Sequence, residues 1–509
     1  MRSAARSAGT RGVGGEQYTG AMGNDAPDAA APEAAASPSP GVPRLGVAVI
    51  VRYAIGSIGT GGFATLPGLV LTYYLTDSLG VAAIMAGVVI TAAKIWDVII
   101  DPVVGALSDR DRARHGTRRR FMLIGACSIP LFFALTFAAP PALGPILGAV
   151  WVLIAFLLTA TAFSLFQVPY IALPAELTAG YDERTRLLTW RVVALTLAIL
   201  LFGAGGPVLR DVSADPILGY LVMGIVSGVV LGLGMLVATT VARHAAAATG
   251  GQVRPAAAGT DAMPRVTAGG APGIRAHYAA GIAALRRSAP FRTLLSAYLL
   301  QALATGLMLA GAQYVATWVL HSEAAVTLLF VALIAPAFLA APLWGLVSNR
   351  WGKERTFAAA SVLFALAALA LFGLQFAPGD WAYVPVALAG VGYAGMQSLP
   401  MAMLPDVISH DEHAHGPGRA GAFSGVWTAG ETVGFALGAA VLSITLAVTG
   451  YVSSTVGMAV TQPDAAVTGI VVAFSILPAA LIALSLLALA RYRLRRTDIE
   501  LTGTGSQPR

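Results

Sequence analysis

Charge is scarce in this chain. Only 11% of its 509 residues are Asp, Glu, Lys or Arg, where soluble globular domains carry about 25%, and so thin a supply cannot clothe a water-facing surface. Cysteine is nearly absent as well: Cys127 stands alone, which excludes an intramolecular disulfide framework, and its apolar neighbours point to packing. The sequence has no H-E-x-x-H pair, no cofactor-binding glycine loop and no serine–histidine pattern, so the usual grounds for an enzyme are missing. Residues 1–43 are rich in Ala, Gly, Pro and Ser and hold no apolar run long enough for a signal peptide, so a disordered cytoplasmic tail is expected.

Apolar residues dominate what is present. They make up 57% of the chain and give a mean hydropathy of +0.74, the composition of a polytopic membrane protein. A net charge of +7 would suit nucleic acid, but the placement of the 32 Lys and Arg argues against that. Arg210 alone falls in an expected outside loop, Lys94 and Arg52 fall in expected spans, and the rest lie in the opposite loops or the tails. This positive-inside pattern predicts a multi-pass protein of the cytoplasmic membrane with both termini cytoplasmic.

Segments of spanning length, about 20 residues each, recur near 46–76, 82–108, 120–140, 144–175, 187–208 and 216–242. A second set follows near 292–320, 324–348, 356–378, 382–405, 420–449 and 466–490. The fold class is therefore all-α, with twelve transmembrane helices in two six-helix halves. The expected organisation is a tail (1–43), a first half (44–243), a Gly/Ala/Pro-rich cytoplasmic linker (244–290), a second half (291–491) and a second tail (492–509). A short amphipathic helix is expected within the linker at HYAAGIAALRRS. Internal repetition supports two halves: GALSDR (Gly105 to Arg110) recurs as GLVSNR (Gly345 to Arg350), and LPAEL (Leu173 to Leu177) recurs as LPDV (Leu404 to Val407).

One stretch departs from the apolar rule. Lys94, Asp97 and Asp101 interrupt the second span at offsets of three and seven, which puts all three on one helix face within an arc of about 60°. Such residues cost roughly 2.5–3.5 kcal/mol each at a bilayer centre, so a polar cavity and a role in transport or coupling are the default expectation. A structural Lys94–Asp97 ion pair is the bland alternative. Two close carboxylates suit either a shared proton or a hard cation such as sodium.

The sequences YYLTDSLG (Tyr73 to Gly80), KIWDVIIDPVVG (Lys94 to Gly105), QVPYIALPAELT (Gln167 to Thr178) and MLPDVISHDE (Met403 to Glu412) add to the repeated six-helix plan. Together the chain resembles the glycoside-pentoside-hexuronide:cation symporters of the major facilitator superfamily, whose best-known member is melibiose permease. The resemblance implies that Asp97 and Asp101 bind the coupling cation, proton or sodium, with Lys94 and Ser164 beside them, and that Arg191 is associated with the sugar and ion sites. It implies no cofactor. Departures from the family pattern are Gly61 and Gln167 where sugar-holding aspartates are expected, Ile100 where an asparagine separates the acids, and Thr432 beside Glu431 where a lysine is expected. A galactoside is therefore not implied.

Candidate substrate residues are Gln167, Arg191, Tyr170, Trp427 and Glu431, the aromatics as faces for a sugar ring. The alternatives are helix-to-helix hydrogen bonding for Gln167, packing or interfacial anchoring for Tyr170 and Trp427, a cytoplasmic-end anchor for Arg191, and a buried protonated carboxyl or a gate contact for Glu431. Asp109, Arg110, Asp406, Glu412 and Arg419 are expected to form gate salt bridges at the cytoplasmic end that open when the cavity faces inward; the loop HDEHAH (His410 to His415) lacks zinc spacing. The expected function is a monomeric, cation-coupled symporter of a sugar, glycoside or related small polar solute. Its partners are substrate, cation and lipid bilayer. A transporter of a lysolipid or amphipathic organic acid is the alternative on the same fold, and a membrane sensor or scaffold is the alternative of another class.

Overall fold

A computed structural model describes residues 45–178, 181–243, 285–415, 420–455 and 460–492, with 283, 458 and 494 singly. Residues 1–44, most of the 244–290 linker and all of the second tail but 492 and 494 lie outside the described residues; of the expected amphipathic helix only 283 and 285–288 are described, with 283 and 285–287 helical. Twelve helical segments follow one another: α1 (Val47–Ser78), α2 (Ala83–His115), α3 (Arg119–Thr136), α4 (Gly144–Leu177), α5 (Tyr181–Arg210), α6 (Pro216–Thr239), α7 (Ala289–Val319), α8 (Ala325–Trp351), α9 (Lys353–Gln375), α10 (Tyr383–His415), α11 (Ala420–Val448) and α12 (Asp464–Leu489). Eleven are long and apolar enough to cross a bilayer on their own. In α10 the apolar run is diluted by Tyr393, Gln397, Ser398 and the prolines Pro385 and Pro400. Among the described residues there is no sheet; Leu79 and Thr455 form one isolated antiparallel bridge.

Helices dominate because backbone N–H and C=O groups must be satisfied internally in hydrocarbon. Prolines inside the spans, such as Pro67, Pro102, Pro169 and Pro174, are tolerated on the same terms. Outward faces carry apolar side chains that would be errors in water, among them Ile154, Leu201, Leu366 and Leu487. Cys127 is also exposed on this surface, so it faces outward rather than packing within the bundle as expected.

Packing repeats across the chain. In the first set α1 meets α5, α2 meets α4, and α3 meets α4 and α6; in the second α7 meets α11, α8 meets α10, and α9 meets α10 and α12. The two sets join through α1–α7, α2–α11 and α5–α8. The repeat extends to local geometry, since both α1 and α7 end in a π-helical turn, Tyr74–Ser78 and Val315–Val319. Glycine sets the closest approach: a Cβ at Gly438 of α11 would lie 2.4 Å from the Leu307 nitrogen of α7, so the two backbones touch where no side chain fits.

Three expected boundaries move. The basic motif after the second span is helical, because α2 runs on to His115 and ends only at Gly116, whose φ of 71° suits a residue without Cβ. HDEHAH is the last part of α10 rather than a loop. The TDSLG segment is only partly a loop, since the π turn keeps Thr76, Asp77 and Ser78 on α1.

Candidate functional site

Four of the expected residues converge between α2 and α4. Lys94 Nζ lies 3.0 Å from Asp97 Oδ2 and 5.5 Å from the centroid of the Phe63 ring on α1. Asp97 is buried, and its Oδ1 has no hydrogen-bond partner among the described residues. Asp101, one turn further along α2, faces the hydroxyl of Ser164 on α4, itself 2% exposed. Half of the bland alternative is thus realised, since Lys94 and Asp97 do pair. That pairing leaves an orphaned carboxylate oxygen, a second carboxylate and a hydroxyl in one place, a donor set that fits a small hard cation or a proton.

Around this centre, Gln167 accepts a hydrogen bond from Thr60 Oγ1 of α1 at 2.7 Å. Arg191 of α5 lies with its guanidinium carbon 5.6 Å from the centroid of the Tyr170 ring, and its Nε is buried without a partner among the described residues. Tyr170 itself does not match the expected sugar platform. It is fully buried, its ring is stacked on Tyr53 at 4.6 Å and on Phe166 at 5.1 Å, and its hydroxyl donates to the Tyr53 carbonyl at 2.7 Å. An aromatic so enclosed serves packing and seats Arg191.

The second set of helices supplies a polar cluster of its own. Tyr298 of α7 donates from its hydroxyl to Glu431 Oε1 of α11 at 2.8 Å, and its ring stacks on Trp427 at 4.3 Å and 19°. Trp427 is 2% exposed, so one of its faces is already taken by Tyr298 and it presents no open platform to a ring.

At the end of the bundle holding the α1–α2, α5–α6, α7–α8 and α11–α12 connections, the two sets are bonded together. Tyr451 donates to Asp77 Oδ1 at 2.6 Å, Thr76 Oγ1 is 2.7 Å from the Tyr314 hydroxyl, and the Ser454 amide donates to the Thr76 carbonyl at 3.0 Å. Arg210, 4% exposed, reaches Glu323 at 3.2 Å while holding Asp211 at 2.8 Å. At the opposite, basic end the ion pairs stay within one set. Arg118 holds Glu176 at 2.7 Å and Asp109 at 2.5 Å, Arg112 reaches the same Glu176 at 3.2 Å, and Lys353 holds Asp406 at 2.6 Å. Burial opposes the charge on Arg118, yet the carboxylates of Glu176 and Asp109 hold its pKa above the ordinary guanidinium value. The cross-set contacts of Thr76, Asp77, Arg210 and Thr327 all lie toward the first end, which they seal.

The sequence signature of the MFS/sugar transport protein family matches residues 52–496. The chain belongs to this family. A symporter of Synechocystis sp. named sll1374, itself uncharacterized, is 27% identical over 498 residues, covering 84% of this chain and 91% of its own. The glucuronide carrier protein homolog of Escherichia coli K12 is 22% identical over 413 residues, covering 80% and 85% respectively. Among solved structures, the nucleoside transporter NupG aligns with a TM-score of 0.57 at 12% identity over 88% of this chain and 99% of its own. The E. coli xylose transporter XylE, in a partially occluded inward-open conformation, aligns at 0.55 and 14% over 88% and 99%. These likenesses establish the major facilitator fold and place this chain among membrane transporters rather than enzymes.

Among the described residues of this MFS transporter, the expected gate residues are not paired with one another. Asp109 and Asp406 are each tied within their own set, Arg110 is exposed with no ion pair among the described residues, and Arg419 and the Glu412 side chain lie outside them. Sequence reading missed Asp77, Tyr314 and Tyr451. Asp77 sat in an expected outside loop, and only the hydrophobic YYL before it hinted that the segment stays inside.

Proposed function

We propose that this transporter is a cation-coupled symporter of a sugar, glycoside or related small polar solute, working by alternating access as a monomer in the cytoplasmic membrane. The observation that carries the reading is the buried Asp97 Oδ1 without a partner, next to Asp101 and Ser164. A carboxylate so placed costs free energy unless a proton or cation completes it. The names of relatives, a symporter and a glucuronide carrier homolog, agree with it.

In this reading the basic end is cytoplasmic, so the seal of Asp77, Tyr451, Arg210 and Glu323 closes the outside. Cation binding at Asp97 and Asp101 removes net negative charge from α2, and a solute bound between the sets favours the same closure; coupling follows because both select one conformation. The test is uptake into proteoliposomes under an imposed sodium or proton gradient. Asp97→Asn and Asp101→Asn are expected to retain solute exchange and lose gradient-driven accumulation. Undiminished accumulation by both variants refutes the assignment.

One observation favours a second reading. A crevice of about 280 Å³ opens on the α2–α11 seam, lined by Ile84, Val88, Ile95, Ala440 and Ile444, with hardly a polar atom in its wall. An acyl chain fits such a wall, as a lysolipid or amphipathic acid would require. Filling it with Ala440→Phe would then abolish transport, whereas a polar solute would still be carried.

A further inference from the structure

Glu431 is a largely buried carboxyl with no basic partner among the described residues. Its carboxylate accepts from the Tyr298 hydroxyl, and no Lys, Arg or His pairs with it among the described residues. Tyr298 has one hydrogen to give, yet both Glu431 Oε1 at 2.8 Å and Gln397 Oε1 at 3.0 Å stand within reach of it. Turning the Gln397 amide resolves this, because its nitrogen then donates to Tyr298 and its oxygen accepts from the Tyr393 hydroxyl, 2.8 Å from the present amide nitrogen. Even so, Glu431 keeps a single donor for about four lone-pair sites. One turn earlier on the same face, Trp427 Nε1 is buried and has no acceptor among the described residues. Acceptor and donor thus stand unused side by side, held by Tyr298, which hydrogen-bonds one and stacks on the other.

The charges on the other set differ. Lys94 is already neutralised by Asp97, and Arg191 is seated against the Tyr170 ring and hydrogen-bonded to its hydroxyl. The unpaired group on the second set is therefore acidic, and a ligand group that donates hydrogen bonds or carries positive charge suits it. A carboxylate in the same place meets a like group with no base between them, which disfavours it.

We propose that Glu431, positioned by Tyr298 and Gln397, is a specificity residue that makes this transporter favour neutral or amino-bearing glycosides over uronides. The proposal rests on the reading of the chain as a carrier of sugar-like solutes and narrows its substrate class. It sets the chain apart from the relative named a glucuronide carrier homolog.

Purified full-length protein is titrated calorimetrically with three probes that share one aglycone: the p-nitrophenyl β-glycosides of glucose, glucosamine and glucuronic acid. The expected result is that wild type binds the amino and neutral glycosides at least about ten-fold more tightly than the glucuronide. Glu431→Gln is expected to bring the amino-to-glucuronide ratio within about three-fold, and Glu431→Asp, which keeps the carboxyl, to preserve most of it. Equal or tighter glucuronide binding by wild type overturns the proposal, as does an unchanged ratio in Glu431→Gln or no binding of any of the three. A Glu431→Gln protein that keeps the ratio but loses proton-driven accumulation makes Glu431 a proton carrier instead, which also overturns it. The wild-type panel stands by itself should Glu431→Gln not fold. Failure of the symport reading shows differently, as uptake of the bound glycoside indifferent to sodium and proton gradients with the ratio intact.

Discussion

Replacing Tyr451 by Phe removes one hydroxyl from the seal and leaves its packing. The ring contacts to Tyr314 at 5.4 Å and Trp318 at 6.3 Å, both edge-on, survive the change. What is lost is the 2.6 Å hydrogen bond to Asp77 Oδ1. Hydrogen bonds to a carboxylate contribute about 1.5–3 kcal/mol, and this one exists only while the two sets are closed at that end. Its loss is expected to shift the equilibrium toward opening there by about 10- to 150-fold. The assay places a cysteine at Thr72, 1% exposed and one turn inside Thr76, in a Cys127→Ser background. Its alkylation rate by a bulky maleimide in detergent reports the fraction of molecules open at that end, and should rise with Tyr451→Phe by a factor in that range. A rate unchanged within about two-fold, in a protein that elutes as wild type, refutes the assignment of Tyr451 as a latch.

Glu323→Gln is expected to act on the same assay far more weakly, by less than about 1 kcal/mol and less still in high salt, because Glu323 is 61% exposed where it meets Arg210. Arg118→Ala removes a shared partner of Glu176 and Asp109 and leaves Glu176 to Arg112 alone, so it should destabilise the protein by about 1–3 kcal/mol, read as a lower apparent Tm. Gly390→Ala puts a Cβ 2.0 Å from the Leu333 carbonyl oxygen, a backbone atom that cannot swing aside, and should cost at least about 1–3 kcal/mol. Gly345→Ala, with no atom within 4 Å of the new Cβ, should instead gain up to about 1 kcal/mol of helix propensity; the same thermal measurement compares the two.

The spans were legible because hydropathy records each residue's own transfer free energy, which sums along a helix without knowledge of its neighbours. The repeat was legible too, since GALSDR and GLVSNR mark the same turn twice. Lys94 and Asp97 could be paired from their spacing alone. Asp77 could not be read this way, since its partner Tyr451 lies 374 residues away and the π turn that keeps it on α1 has no strong sequence mark. Tyr170 failed for the same reason in reverse: an aromatic near a sugar motif looks like a platform until Tyr53 and Phe166 cover its faces. The expected gate was compositional, whereas Asp109 and Asp406 pair with Arg118 and Lys353, partners that spacing alone does not reveal.

The claim that Asp97 and Asp101 hold the coupling cation is tested most directly by cation-dependent thermal stabilisation of the purified transporter, titrated with sodium at fixed pH and with pH in the absence of sodium. A ligand of the native state raises stability by RT ln(1 + [L]/Kd), so wild type should be stabilised by sodium or by protonation in a saturable way. Asp97→Asn and Asp101→Asn should each lose that response while remaining folded. Wild-type titration curves in both variants would contradict the account.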